Sequence, residues 1–264
     1  MKKAIVFDNS GTLIERYRVI KDVLSGKLFT DINSLDLIDQ NDCLALVVLQ
    51  FNTNKLLNLN PDTLISDVIK DFEIDFDISF TNFQTGKDEV RKVLENEKSA
   101  VISDITDGFP ILNKKVPEME LCNGSALILD MDLGIVAYTI TSAGKLFDGV
   151  SDTVRFLQDK GIEIAIASGD RKGAIAKLAG ILNVKKDNAF GSVSTKGKCE
   201  VIRDFQNKGY KVMMVGDGLN DILAFRQADV SVLTIEQAEE VSPKLIGKTD
   251  YIIDDISQVK DIEF

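Results

Sequence analysis

The sequence predicts an α/β protein, a parallel-sheet core interrupted by a small inserted α+β module. Two observations carry this. Three short, almost wholly apolar runs, at residues 4–7, 162–167 and 212–215, each end in a loop that combines glycine with oxygen-bearing side chains. Between the first run and the second, residues 15–124 change texture: few glycines, and short apolar stretches broken by Asp and Asn. The expected division is a core of residues 1–14 and 125–264 around an insert of residues 15–124. With 44% apolar residues in a chain of 264, there is enough material for packed cores.

Ala4-Ile5-Val6-Phe7 is too short and too rich in strand formers for a helix, and runs straight into Asp8-Asn9-Ser10-Gly11-Thr12-Leu13. An aspartate that follows a strand has no helix to cap. Asp8 is therefore either a turn residue or a nucleophile and metal ligand, and this motif alone leaves both open. In the insert, residues 44–49 read as a buried strand. Asn60-Pro61-Asp62 reads as a helix start, with Leu64, Ile65, Val68, Ile69 and Phe72 at helical spacing. Residues 74–80 alternate like a half-exposed strand, and Thr85-x-x-Asp88 caps a helix through Leu94. Val101-Ile102 and Ile111-Leu112 are short strand candidates. Residues 126–129 and 135–140 flank Gly134 as a hairpin that opens the core. Helices over 148–160, 172–182, 200–207 and 236–246 then alternate with strands over 162–167, 212–215, 230–233 and 251–253.

Composition excludes several functions. A net charge of −11 opposes a nucleic-acid footprint and an anionic membrane surface. The longest apolar stretches, such as residues 43–51, fall short of the ~20 residues that a membrane span needs. Four apolar residues after Met1-Lys2-Lys3 are too few for a signal peptide. A cytoplasmic chain without nucleic-acid or membrane partners is expected; its oligomeric state is not legible. The absence of histidine removes Ser-His-Asp triads, phosphohistidine and His-ligated metals. Cys43, Cys122 and Cys199 show no metal or disulfide spacing and read as small core residues.

The three apolar runs end in Asp8, in Ser168-Gly169-Asp170 and in Asp217. If the strands are parallel, all lie at one sheet edge, where open α/β sheets bind ligands. The glycines allow close backbone approach to a ligand. A carboxylate nucleophile, a hydroxyl, a lysine and further carboxylates are what phosphoryl transfer through an aspartyl-phosphate uses. Two neighbouring carboxylates such as Asp8 and Asp217 need a hard cation between them, and Mg²⁺ prefers oxygen ligands. The phosphoryl oxygens then need donors and positive charge, available from Ser168, backbone N–H groups and a lysine.

At these residues the chain resembles the haloacid dehalogenase superfamily. Asp8-Asn9-Ser10-Gly11-Thr12-Leu13 is similar to its first motif, nearest the Asp-Lys-Thr-Gly-Thr-Leu of P-type ATPases. Ser168-Gly169-Asp170 resembles their Thr-Gly-Asp, and Gly216-Asp217-Gly218-Leu219-Asn220-Asp221 their Gly-Asp-Gly-x-Asn-Asp. Lys198-Cys199-Glu200-Val201-Ile202 falls where they carry the phosphate-binding lysine. The resemblance implies a Rossmann-like core and a Mg²⁺-dependent phosphohydrolase, P-type-ATPase-like. Asp8 is implied as the nucleophile, and Asp8, Asp217 and the Ser10 carbonyl as metal ligands. Thr12 and Ser168 would hold phosphoryl oxygens, with Lys198 neutralising them. Gly169 and Asp170 would support the second loop, and Asn220 and Asp221 the metal's waters and the last loop. The implied substrate is a phosphorylated small molecule or a nucleotide such as ATP.

The departures matter as much. Superfamily phosphatases carry a second Asp where Ser10 stands, so phosphoenzyme hydrolysis is expected to be slow. Asn9 replaces the ATPase lysine, and no transmembrane stretch supports ion transport. The insert holds no Lys-Gly-Ala segment of the ATPase kind, which leaves its fold and any ATP contact open. Two other functions compete: a sugar or metabolite phosphatase whose cap selects the substrate, and a catalytically weak regulatory subunit that binds Mg²⁺ and phosphate.

Overall fold

The computed structural model describes residues 2–32, 34–39, 41–116, 124–237, 245 and 247–264. In chain order its strands are β1 (Lys2–Phe7), β2 (Ile14–Asp22), β3 (Leu28–Phe29), β4 (Leu44–Leu49), β5 (Phe76–Thr81), β6 (Gly124–Asp130), β7 (Ile135–Leu146), β8 (Glu163–Ala167), β9 (Ala189–Phe190), β10 (Tyr210–Gly216), β11 (Val230–Thr234) and β12 (Tyr251–Ile253). The helices are α1 (Ser34–Asp39), α2 (Ile65–Asp71), α3 (Lys87–Asn96), α4 (Ile102–Thr106), α5 (Phe109–Lys115), α6 (Val150–Asp159), α7 (Lys172–Ile181), α8 (Thr195–Asn207) and α9 (Ile222–Gln227). Two compact units result: residues up to Arg16 with Gly144–Phe264, and Tyr17–Ala143. Among the described residues, no helix is long and apolar enough to cross a membrane.

The first unit is built on a sheet of order β12-β11-β10-β1-β8-β9, with every neighbouring pair parallel. Parallel strands are covered on both faces, which is why β1, β8 and β10 read as unbroken apolar runs. Ala4, Val6, Ala165, Ala167, Val212 and Met214 are buried together with Val201, Ile202 and Phe205 of α8. The register sets Phe7 beside Val215 on one side and Ile166 on the other. Asp8, Ser168 and Asp217 therefore leave the sheet at one level, as the parallel reading requires. Helix α8 starts ahead of the expected residue 200, because the Ser194 hydroxyl accepts from Gly197 N–H at 3.2 Å and caps it. That earlier start puts Lys198 on the same buried helix face as Val201, Ile202 and Phe205.

The second unit is a sheet of order β3-β2-β7-β6-β4-β5 with helices. The pairs β2–β3, β4–β5, β4–β6 and β6–β7 are antiparallel. The hairpin expected to open the core, β6–β7, belongs to this sheet instead, because β6 pairs along its length with β4 (Leu46 opposite Ile128). The units thus divide after Ala143 rather than at 124/125. Asn60-Pro61-Asp62 forms a turn, with Asn60 Oδ1 accepting from Asp62 N–H at 3.1 Å, and α2 begins only at Ile65. Val101-Ile102 and Ile111-Leu112 lie at the start of α4 and inside α5, not in strands. An Asp104 carboxylate oxygen accepts from Val101 N–H at 2.9 Å, and Pro110 opens α5; both are helix-start devices. The helix expected over 236–246 falls mostly on residues outside those described, as does Cys122. Cys43 and Cys199 are half-buried, short of core positions.

Candidate active site

Asp8 follows the central strand, its N–H donating to the Val215 carbonyl at 2.9 Å. The chain then folds back tightly: Leu13 and Ile14 N–H both donate to the Asn9 carbonyl, at 2.8 and 2.9 Å. Gly11 is left-handed at φ +81°, and a Cβ there would lie 2.1 Å from Asp217 Oδ2. Only glycine lets this backbone lie against that carboxylate. Asp8, Asn9, Ser10 and Thr12 are all buried. Among the described residues nothing hydrogen-bonds the Thr12 hydroxyl, although the residue is fully enclosed. A buried polar atom without a partner is costly, so this hydroxyl is waiting for an acceptor or donor that the fold does not supply.

Asp8, Asp217 and Asp221 each offer a carboxylate oxygen, and the three lie within 4.8 Å of one another. The Lys198 ammonium joins two of them, 2.6 Å from Asp8 Oδ1 and 2.6 Å from Asp221 Oδ1, with its side chain 2% exposed. Burial pulls the Lys198 pKa down, but the charges of Asp8 and Asp221 outweigh it and hold the ammonium protonated. One cation does not balance three carboxylates. Burial, then the charges of Asp8 and Asp221, push the Asp217 carboxyl well above its ordinary range, against the pull of Arg16 and Lys198. The Asp221 carboxyl is pushed up to about 6, chiefly by burial and by Asp8. An all-oxygen donor set short of positive charge fits a hard divalent cation such as Mg²⁺.

Beside this cluster the first two loops are tied together through one carboxylate. Asp170 Oδ2 accepts from Asn9 Nδ2 at 2.6 Å, Ser10 Oγ at 3.1 Å and Ser168 Oγ at 2.9 Å. The structure thus gathers Asp8, Lys198, Asp217 and Asp221 into one constellation and Ser10, Ser168 and Asp170 into a second, linked by the Asp8 loop. Asp221, expected to orient the metal's waters and the last loop, stands inside the carboxylate cluster itself. Asn220 is exposed and packs against Gly218, where a Cβ would meet its Oδ1 at 2.4 Å. At Gly169 a Cβ would lie 3.7 Å from the Val193 carbonyl. Outside the motifs, the positive charge of Arg16 pulls the Asp170 and Asp217 carboxyls down against burial.

The chain is 36% identical over 263 residues, 99% of its length and 93% of the relative's, to a soluble P-type ATPase-like phosphatase of Methanocaldococcus jannaschii. It is 37% identical over 109 residues to a chloroplast copper-transporting ATPase of Arabidopsis thaliana, covering 41% of this chain and 12% of that one. Among solved structures it is similar to apo phosphoserine phosphatase, at 16% identity and TM-score 0.46 over all of both chains. Residues 2–229 match the family described as haloacid dehalogenase-like hydrolase. That stretch holds the Asp8 loop, the Ser168 loop, Lys198 and the Asp217 loop, and the chain belongs to the haloacid dehalogenase-like hydrolases.

Proposed function

We propose that the chain is a cytoplasmic, Mg²⁺-dependent phosphohydrolase that works through an aspartyl-phosphate on Asp8, with a phosphorylated small molecule or a nucleotide such as ATP as substrate. The observation that carries this reading is the Lys198 ammonium held 2.6 Å from Asp8 inside the three-carboxylate cluster. A bare carboxylate would repel a phosphate dianion; Lys198 offsets that repulsion where the nucleophile must act. The similarity to a relative named a soluble phosphatase supports the same reading.

In the first half-reaction an Asp8 oxygen attacks phosphorus, and the bond to the substrate's leaving oxygen breaks with its electron pair. The unpartnered Thr12 hydroxyl is assigned to a phosphoryl oxygen. Asp8, Asp217 and the Ser10 carbonyl, with Asp221 beside them, would hold Mg²⁺, whose charge lets Asp8 and Asp217 stay ionised next to the phosphoryl group. In the second half-reaction water attacks the phosphorus, the bond to Asp8 breaks and inorganic phosphate leaves. Ser10 stands where the superfamily's phosphatases place a second aspartate, and a hydroxyl cannot accept the water's proton at neutral pH. This half is the slow one.

A panel of nucleotides and phosphate esters, assayed with Mg²⁺, tests the reading. Turnover of at least one ester is expected, lost in EDTA and in Asp8→Asn. Full turnover in EDTA removes the metal from the account, and turnover by Asp8→Asn removes the nucleophile.

A further inference from the structure

Two turns of the same build stand side by side at one end of the second unit's sheet. Strand β2 neighbours β7, and Val23 N–H donates to the Ala137 carbonyl at 3.0 Å. That bond sets the turn after β2 against the turn that leads into β7. In the first, Asp22 Oδ1 accepts from Leu24 and Ser25 N–H at 2.9 and 3.0 Å, and the Asp22 carbonyl from Gly26 N–H at 2.8 Å. In the second, Asp130 Oδ1 accepts from Asp132 and Leu133 N–H at 3.1 and 2.9 Å, and the Asp130 carbonyl from Gly134 N–H at 2.9 Å. Gly26 and Gly134 take the left-handed backbone that closes each turn, at φ +70° and +66°. Val23 and Met131 pack against the core from the foot of each.

Turns of this kind call for an aspartate and a glycine, and polar residues serve between them, as Ser25 and Asp132 do. Each turn nevertheless carries a leucine at its tip, Leu24 97% exposed and Leu133 70% exposed. The turn chemistry does not require them, and neither is buried in the fold. Around them the charge is one-sided. Asp22, Asp130 and Asp132 belong to the turns, and Asp42 precedes Cys43, whose carbonyl accepts from Met131 N–H at 3.0 Å. None of these four carboxylates makes an ion pair among the described residues. The one cation on the two turns, Lys27, stands over the Phe29 ring, 4.8 Å from its centroid.

We propose that this sheet end is a docking surface for a cationic amphipathic segment of a partner protein. Its apolar side chains seat on Leu24 and Leu133, and its lysines or arginines face Asp22, Asp42, Asp130 and Asp132. The surface is preformed: hydrogen-bonded turns rooted in the core lose little freedom on binding, so contact at the leucines is not offset by ordering. A second copy of the chain would bring the same four carboxylates against these, and an anionic lipid surface would be repelled in the same way. Docking here is independent of the chemistry at Asp8.

The probe is a fluorescein-labelled helical peptide of leucine and lysine, one face apolar and the other cationic. It is titrated with the full chain at about 0.15 M salt and followed by anisotropy, and binding in the micromolar range is expected. Leu24→Ser combined with Leu133→Ser should weaken binding at least about tenfold, with thermal unfolding unchanged because both side chains are exposed. Asp42→Asn combined with Asp132→Asn should weaken it by about threefold or more and flatten its dependence on salt. A peptide with glutamate in place of lysine should bind the wild type at least about tenfold more weakly. Equal binding by the leucine variant, equal binding of the glutamate peptide, or no binding of the lysine peptide at millimolar protein overturns the proposal. So does either other occupant: a wild-type dimer in sedimentation velocity, or flotation with phosphatidylcholine vesicles, that the leucine variant loses.

Discussion

Each unit of the molecule encloses a lysine between two aspartates, and the two clusters do different things. In the first unit Lys198 lies 2.6 Å from Asp8 and 2.6 Å from Asp221. In the second, Lys21 lies 2.7 Å from Asp104 and 2.6 Å from Asp107. The distances alone would not tell them apart. In both, burial pulls the lysine's pKa down and the aspartates outweigh it. The surroundings differ. Lys21 meets two carboxylates, one of which, on Asp107, is 46% exposed and needs little help from the protein. The other, on Asp104, also caps α4 through Val101 N–H. That cluster is complete as it stands: it pins β2 to a helix. Around Lys198 a third carboxylate, Asp217, makes no ion pair among the described residues, glycine backbone lies against it, and the buried Thr12 hydroxyl has nothing to bond among those residues either. A buried ion pair by itself is weak evidence for function. Unbalanced charge and unspent hydrogen-bonding capacity mark the site.

Deleting each lysine sets the contrast most sharply. Lys198→Ala leaves three enclosed carboxylates facing an incoming anion, and turnover is expected to fall roughly 10²–10³-fold, the scale of losing one preorganised electrostatic contact. Lys21→Met should leave kcat/KM unchanged within error and lower unfolding stability by about 1–3 kcal/mol, the range for stranding a mostly buried polar partner. Denaturant unfolding and steady-state kinetics on both variants decide it. If Lys21→Met lost activity as heavily as Lys198→Ala, the division into clasp and site would fail.

Gly11 offers a finer probe of the same cluster. An alanine there must hold φ +81° and push its methyl into Asp217. The left-handed backbone alone costs about 1–2 kcal/mol. Gly11→Ala should therefore weaken the Mg²⁺ dependence of turnover about tenfold, read as the Mg²⁺ concentration for half-maximal rate. An unchanged half-maximal concentration would show that Asp217 is free to move aside and does not need this fixed approach.

The sequence announced the first unit better than the second, for a physical reason. Buried parallel strands are continuous apolar runs, so β1, β8 and β10 and the loops at their ends stand out from a single chain. Strand β2, Ile14–Asp22, mixes Glu15, Arg16, Arg18 and Lys21 with its apolar residues and is only partly buried, so no run marks it. The β6–β7 hairpin was visible as two strands with a turn, but its partner β4 lies far away in sequence and nothing local says which sheet it joins. Val101-Ile102 and Ile111-Leu112 carry strand-forming side chains in stretches too short to show a period, and a capping aspartate and a proline decided for helix. In the site, Asp8, Ser168, Lys198 and Asp217 were legible from motif spacing. The place of Asp221 inside the carboxylate cluster was not, because the turn after Gly218 sets it.

The proposed mechanism requires that Asp8 becomes phosphorylated and loses its phosphoryl group slowly, because Ser10 offers no base. Acid-quench trapping of enzyme turning over ³²P-labelled substrate tests it directly, with the labelled peptide located by mass spectrometry. The account predicts that label accumulates on Asp8 in the wild type at saturating substrate. It also predicts that Ser10→Asp speeds its loss roughly tenfold or more, toward the 10²–10⁴-fold that general acid-base assistance is worth. Steady turnover with no trapped label in the wild type would contradict slow hydrolysis, and label on any residue other than Asp8 would contradict the assignment of the nucleophile.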